Sequence, residues 1–169
     1  MTSPLVQLAK EAIVSYVTEK RTISAPTELT PEMAARASVF VSIHDGRGLR
    51  GCIGTIAPRR ANVAEEIITN AISAATYDPR FNPVTIGELD ELEISVDVLF
   101  EPELITNMAE LDPKKYGLIV ESGLRHGLLL PNLPGVETAH EQIDICRSKG
   151  GIPPGVKLKL YRFEVKRYE

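Results

Sequence analysis

Two stretches constrain the fold of this chain more than any other. The first, "ASVFVSIHDGRGLRGCIGTI", sets two apolar, β-branched runs on either side of "HDGRG". The second, "YGLIVESGLRHGLLLP", repeats the arrangement around a turn near Ser122 to His126. Asp-Gly and Gly relieve the steric cost of positive φ in a tight turn, so each stretch predicts a β-hairpin. Hairpins join antiparallel neighbours, which favours an antiparallel sheet over a doubly wound parallel one.

Helical patterns lie around these hairpins. Ser3-Pro4 reads as an N-cap followed by proline at the first helical position. Leu5, Leu8, Ala9, Ala12, Ile13 and Tyr16 follow at helical spacing and predict a helix over Pro4–Lys20. The Pro- and Thr-rich segment 22–32 reads as a loop. In "RRANVAEEIITNAISAATYD", Val63, Ala64, Ile67, Ile68, Ala71 and Ala75 form one stripe, and Asp78-Pro79 ends it. "ETAHEQIDICRSKGG" is a further helix closed by Gly150-Gly151. "DELEISVDVLFEP" alternates as a half-buried strand, with Leu92, Ile94, Val96, Val98 and Phe100 on one face and Glu93, Ser95 and Asp97 on the other. "KLKLYRFEVKRYE" alternates again and predicts one closing strand.

The order helix, hairpin, helix, strand, hairpin, helix, strand defines an α+β class. "GLRG" at 48–51 returns as "GLRHG" at 123–127. Either a hairpin-plus-helix unit is duplicated or two hairpins resemble each other by chance. The expected organisation is one domain over residues 1–169, with an N-terminal helix and subdomains or repeats of about 35–100 and 112–167.

A net charge of −4, from 19 basic and 23 acidic residues, argues against non-specific nucleic-acid binding, while Arg47, Arg50, Arg59 and Arg60 form one local basic region. No apolar run is long enough to span a membrane. Cys52 and Cys146 do not make a disulfide framework, and the N-terminus lacks a leader pattern, so the expected compartment is the cytoplasm. His44, His126 and His140 show no zinc spacing, so neither a metal nor a cofactor is expected. Gly46, Gly48 and Gly51 match a dinucleotide fingerprint literally, but the motif enters a strand where a phosphate site needs a helix.

"GRGLRGCIGTIAP" carries four glycines, two arginines and one cysteine in 13 positions. As a strand, it puts Arg50, Cys52 and Gly54 on one face, with Arg50 and Cys52 about 6–7 Å apart. A nearby guanidinium favours thiolate over thiol. Gly54 leaves a gap beside the sulfur, and Gly51 opens the opposite face to the following helix. The competing reading is a strand built small so that it can pack or bend, with Cys52 as an apolar filler. In "YDPRF", Arg80 could bind a carboxylate or phosphate with Asp78 orienting it, or the two could simply tie the helix end to the sheet.

"LRGCIGTI", then "YDPRFNPVT" and "LEISVDVL", in this order and spacing, resemble the AMMECR domain family. Within it, the chain is most similar to the prokaryotic group called AmmeMemoRadiSam system protein A. "GLRHGLLLP" and the following "KGGI" also resemble that group, and the match covers roughly residues 5–165. The resemblance implies an α+β fold with a duplicated, strongly curved, barrel-like, mainly antiparallel sheet and flanking helices. It also implies association with a Memo-type, extradiol-dioxygenase-like protein and a radical SAM protein. Relatives often carry a Trp near "LPGVET", which is absent here.

Two functions follow as expectations. One is a binding or accessory component that presents Arg50, Gly51, Gly54, Thr55, Asp78 and Arg80 to a small molecule, peptide or partner protein. The other is an enzyme with Cys52 as an activated thiolate nucleophile.

Overall fold

The computed structural model describes all residues, Met1–Glu169. It divides into two compact units, Met1–Val98 with Lys166–Glu169, and Leu99–Val165. No helix is long and apolar enough to cross a membrane.

The first unit is built on helices α1 (Pro4–Glu19), α2 (Pro31–Ala34) and α3 (Val63–Thr76) and strands β1 (Val39–Asp45), β2 (Gly48–Gly54), β3 (Glu93–Leu99) and β8 (Val165–Tyr168). The strands form an antiparallel sheet in the order β2-β1-β3-β8. Ser3 caps α1, with Pro4 in its first turn, and α1 ends at Lys20 in the left-handed conformation. Asn62 caps α3 by accepting from the Glu65 amide. The apolar stripes of α1 and α3 pack with Val39, Val41, Ile43 and Val96 in one core. Gly51 lets α3 approach the sheet, because a Cβ there would collide with the Ala74 carbonyl oxygen.

The second unit holds β4 (Glu103–Ile105), β5 (Gly117–Ser122), β6 (Arg125–Leu129), α4 (Ala139–Lys149) and β7 (Lys159–Phe163). Its sheet order is β4-β7-β5-β6. Thr138 and Glu141 form a capping box at α4. Cys146 lies in the core with Leu118, Val120 and Leu129. Burial pushes its thiol up to about 12.

The two units share one construction. In each, a hairpin is followed by a helix and then by a strand that pairs with the hairpin's first strand, giving β2-β1-β3 and β6-β5-β7. In each, a glycine on the hairpin's second strand lies under a helix carbonyl: Gly51 under Ala74 and Gly127 under Cys146. The fourth strand of each sheet comes from the chain that leaves the other unit's third strand. β4 follows β3, and β8 follows β7.

Three expectations need correction. The sheet is not barrel-like: the strands form two separate four-stranded sheets, neither closed on itself. Closure is not needed at the β2 edge, because side chains from the 78–88 loop occupy part of its outward hydrogen-bonding positions. The closing segment is two strands, since β7 and β8 belong to different sheets. Its apolar residues serve different cores, with Leu160 packed in the second and Tyr168 in the first. Phe100 does not continue the buried face of β3. The strand ends at Leu99, and Phe100 is exposed.

Candidate functional site

The helices of the first unit cover only one face of its sheet, the one bearing Val41, Ile43 and Val96. The other face carries Phe40, Ser42, Cys52, Ser95 and Asp97 by strand alternation. Ser42 lies opposite Cys52 on one side and Ser95 on the other. The Ser42 hydroxyl donates to Cys52 Sγ at 3.2 Å. Cys52 is half-buried, and Ser42 is buried.

A loop side-chain clamp holds the backbone of Cys52. Its N–H donates to Asp78 Oδ2 at 3.0 Å, and its carbonyl accepts from Arg80 Nη2 at 3.1 Å. Asp78 and Arg80 therefore supply the acceptor and the donor that a neighbouring strand would supply to an edge residue. Pro79 between them restricts the loop backbone. The pair is tightly joined: Arg80 Nε and Nη2 meet Asp78 Oδ1 and Oδ2 at 3.0 and 2.7 Å. The Asp78 side chain is 2% exposed and that of Arg80 is 52% exposed. Hydrogen bonding to Arg80 and to the Cys52 and Arg80 amides holds the Asp78 carboxyl down at about 2.

A second ion pair stands on the same face. Arg167 on β8 meets Asp97 through Nε and Nη2 at 2.8 and 3.0 Å, with Asp97 1% exposed and Arg167 33% exposed. The basicity of each arginine is raised, chiefly by its carboxylate partner, with a smaller electrostatic contribution from Glu169 at Arg167 and the smallest at both from Cys52. Cys52 is therefore within electrostatic reach of both guanidiniums.

The other predicted residues have different places. Arg50 is the extra residue of a β-bulge, since Ile43 pairs with Gly51 and His44 with Leu49. Its guanidinium holds Glu88 at 2.8 Å and the carbonyls of Asn82 and Pro83. That hydrogen bond is the main reason the Glu88 carboxyl is lowered to about 2. Arg50 thus anchors the loop whose other end carries the clamp. The gap expected over Gly54 is filled by the Phe40 ring. Gly51 faces α3, and Thr55 donates to the buried carboxylate of Glu66 at 3.0 Å. Glu66 also accepts from the amides of Arg59 and Arg60, which orders the start of α3. The structure brings Cys52, Asp78 and Arg80 together, and it adds Ser42, Asp97 and Arg167. Their only sequence signal is the polar position that each takes within an alternating strand.

The second unit provides an internal comparison. Aligning Gly51 with Gly127 sets Cys52, Ser42 and Ser95 against the cross-strand row Leu128, Ile119 and Tyr161. The same register sets Asp97 against Phe163. Ile119, Leu128 and Phe163 are buried. One unit fills this layer with apolar side chains, and the other fills it with a thiol, hydroxyls and a carboxylate.

A family model for AMMECR1 matches residues 6–168. The chain belongs to the AMMECR1 family. A Thermotoga maritima protein is 48% identical to this AMMECR1 chain over 170 residues, covering 98% of this chain and 97% of the relative. Protein CA_C1420 of Clostridium acetobutylicum is also 48% identical, but the match covers 98% of this chain and only 36% of that protein. There the AMMECR1 domain is part of a much longer polypeptide. The crystal structure of the uncharacterized protein PH0010 from Pyrococcus horikoshii has a TM-score of 0.90 and 35% identity, covering 96% of this chain and 88% of that one.

Proposed function

We propose that this AMMECR1 protein is a binding or accessory component that presents the Cys52 face of its first unit, with the Asp78–Arg80 loop, to a small molecule or a partner protein. The observation that carries this reading is the difference between the two units. The second unit shows that this fold is satisfied by Ile119, Leu128, Tyr161 and Phe163 at these register positions. Buried hydroxyls and carboxylates are costly unless paired, so stability alone does not favour Ser42 and Asp97 over aliphatic or aromatic side chains. Their presence fits a demand for recognition.

The partners we propose are the Memo-type and radical SAM proteins implied by the resemblance to AmmeMemoRadiSam system protein A. The longer chain of CA_C1420 supports a role beside other domains, because there the equivalent domain is covalently joined to additional polypeptide. Co-purification with a Memo-type or radical SAM protein under anaerobic, reducing conditions tests this. Retention that Arg80→Glu abolishes supports the reading, and no retention by either partner refutes it.

A second reading makes Cys52 a nucleophile. It is favoured by the Ser42 hydroxyl at the sulfur and by two guanidiniums within electrostatic reach. Iodoacetamide labelling against pH separates the two: modification of Cys52 well below pH 8 supports it. Labelling only above pH 8, or none in the folded protein, removes it.

A further inference from the structure

We infer that the Cys52 face takes a small molecule through a carboxylate or phosphate group, seated on the outward edges of Arg80 and Arg167. This rests on the binding reading above and names the chemistry of the ligand.

Asp78 uses both oxygens: Oδ1 accepts from the Arg80 amide and Nε, and Oδ2 accepts from the Cys52 amide and Arg80 Nη2. Asp97 likewise uses both oxygens on Arg167. Both carboxylates are turned inward and engaged, with side chains 2% and 1% exposed. The arginines are the solvent-reaching members of the two pairs, with 52% and 33% of their side chains exposed. A guanidinium is planar, so when its Nε and Nη2 grip a carboxylate, Nη1 points to the opposite side. Each arginine is therefore held along one edge, with Arg80 Nη2 also donating to the Cys52 carbonyl, and Nη1 is the donor group left for a ligand.

This arrangement selects the sign of the ligand. An ammonium group would meet two cations whose partner carboxylates, Asp78 and Asp97, are both buried and engaged, leaving Glu169 as the further acidic group that acts on Arg167. A carboxylate or phosphate would meet forked donors suited to its geometry. Anchoring by Asp78 and Asp97 also fixes the guanidiniums before binding, which lowers the ordering cost. The second unit offers no such donors in this layer: where the first has Asp97 it has Phe163, and where the first has Cys52 it has Leu128.

The test is a titration of the full-length, isotope-labelled protein at constant ionic strength with inorganic phosphate, malonate and, as a cation control, ethylenediamine. The backbone amide signals are read. The inference expects phosphate, malonate or both to produce saturable shifts at Cys52, Arg80 and Arg167, with no matching response to ethylenediamine. Arg80→Gln is expected to weaken the anion at least tenfold. Because removing Arg167 alone would leave Asp97 buried without its partner, the double variant Asp97→Asn with Arg167→Gln keeps a hydrogen-bonded pair and removes only the charges. It is expected to weaken the anion to a similar degree while leaving the spectrum of the second unit unchanged. The inference is overturned if neither anion shifts these amides, if ethylenediamine shifts them equally, or if both variants bind as the wild type does. If the anions fail but a Memo-type or radical SAM partner still perturbs residues 50–54 and 78–81, the oxyanion inference falls and the binding reading stands.

Discussion

Replacing Asp78 with asparagine keeps the size of the side chain and removes its charge. The wild-type carboxylate accepts from the Cys52 amide, the Arg80 amide and two Arg80 guanidinium nitrogens. An asparagine has one acceptor oxygen, and its NH2 would face a donor whichever way it turned. The loss is one charge-assisted hydrogen bond from the Cys52 amide and the grip on Arg80. Hydrogen bonds to charged groups contribute about 1.5–3 kcal/mol each, and Arg80 recovers part of its loss because half of it already faces water. The expected cost is about 3 kcal/mol, or roughly 6–12 °C in Tm for a chain of this length. Thermal unfolding followed by circular dichroism measures that cost, and hydrogen exchange at the Cys52 amide reports the loss of its bond to Asp78. We expect Arg80→Ala added to Asp78→Asn to cost much less than it does alone, since the pair acts as one clamp. A variant within about 0.5 kcal/mol of wild type, with the Cys52 amide still protected, would refute the clamp.

Asp78 and Glu88 both titrate near 2 in the fold, held down first by Arg80 and Arg50 respectively. Folded values below the ordinary carboxylate range mean that the stabilisation is complete above about pH 5 and is lost as pH falls from about 4 through about 2. Acid titration of stability should show a loss of about 3 kcal/mol across that window, and Asp78→Asn with Glu88→Gln should flatten it. Arg50→Ala releases Glu88 and the Asn82 and Pro83 carbonyls, so exchange should rise at 82–88 at a cost of about 1–2 kcal/mol. Gly51→Ala drives a methyl into the Ala74 carbonyl and should cost about 2–3 kcal/mol or prevent folding, seen as a lowered Tm or loss of soluble protein. Cys146, buried and with its thiol near 12, should resist iodoacetamide until the chain unfolds, as intact mass reports.

Local signals read the fold well and long-range pairing poorly. Ser3-Pro4, the α3 stripe and both hairpins were visible, because caps, periodicity and turns are local. The separation of β7 from β8 was not, since alternation fixes which side chains share a face but not which sheet receives them. The echo of "GLRG" in "GLRHG" is also not the structural correspondence. Gly123 and Leu124 form the second turn, while Gly48 and Leu49 already lie in β2. The equivalence runs through Gly51 and Gly127 under their helices. At the site, the Asp78–Arg80 pairing was legible from the short "DPR" spacing. The diversion of Arg50 was not, because a one-residue bulge leaves no mark in period-two counting. Asp97 and Arg167 are 70 positions apart and meet only because β8 returns to the first sheet.

Hydrogen exchange of the whole protein, alone and with a Memo-type or radical SAM partner under reducing conditions, tests the central claim most directly. The account predicts slowed exchange over 50–54 and 78–81 and at Arg167, with the matching layer around Ile119, Leu128 and Tyr161 unchanged. Exchange at those first-unit segments that is unaltered by either partner, while the partner binds elsewhere on the chain, would contradict it.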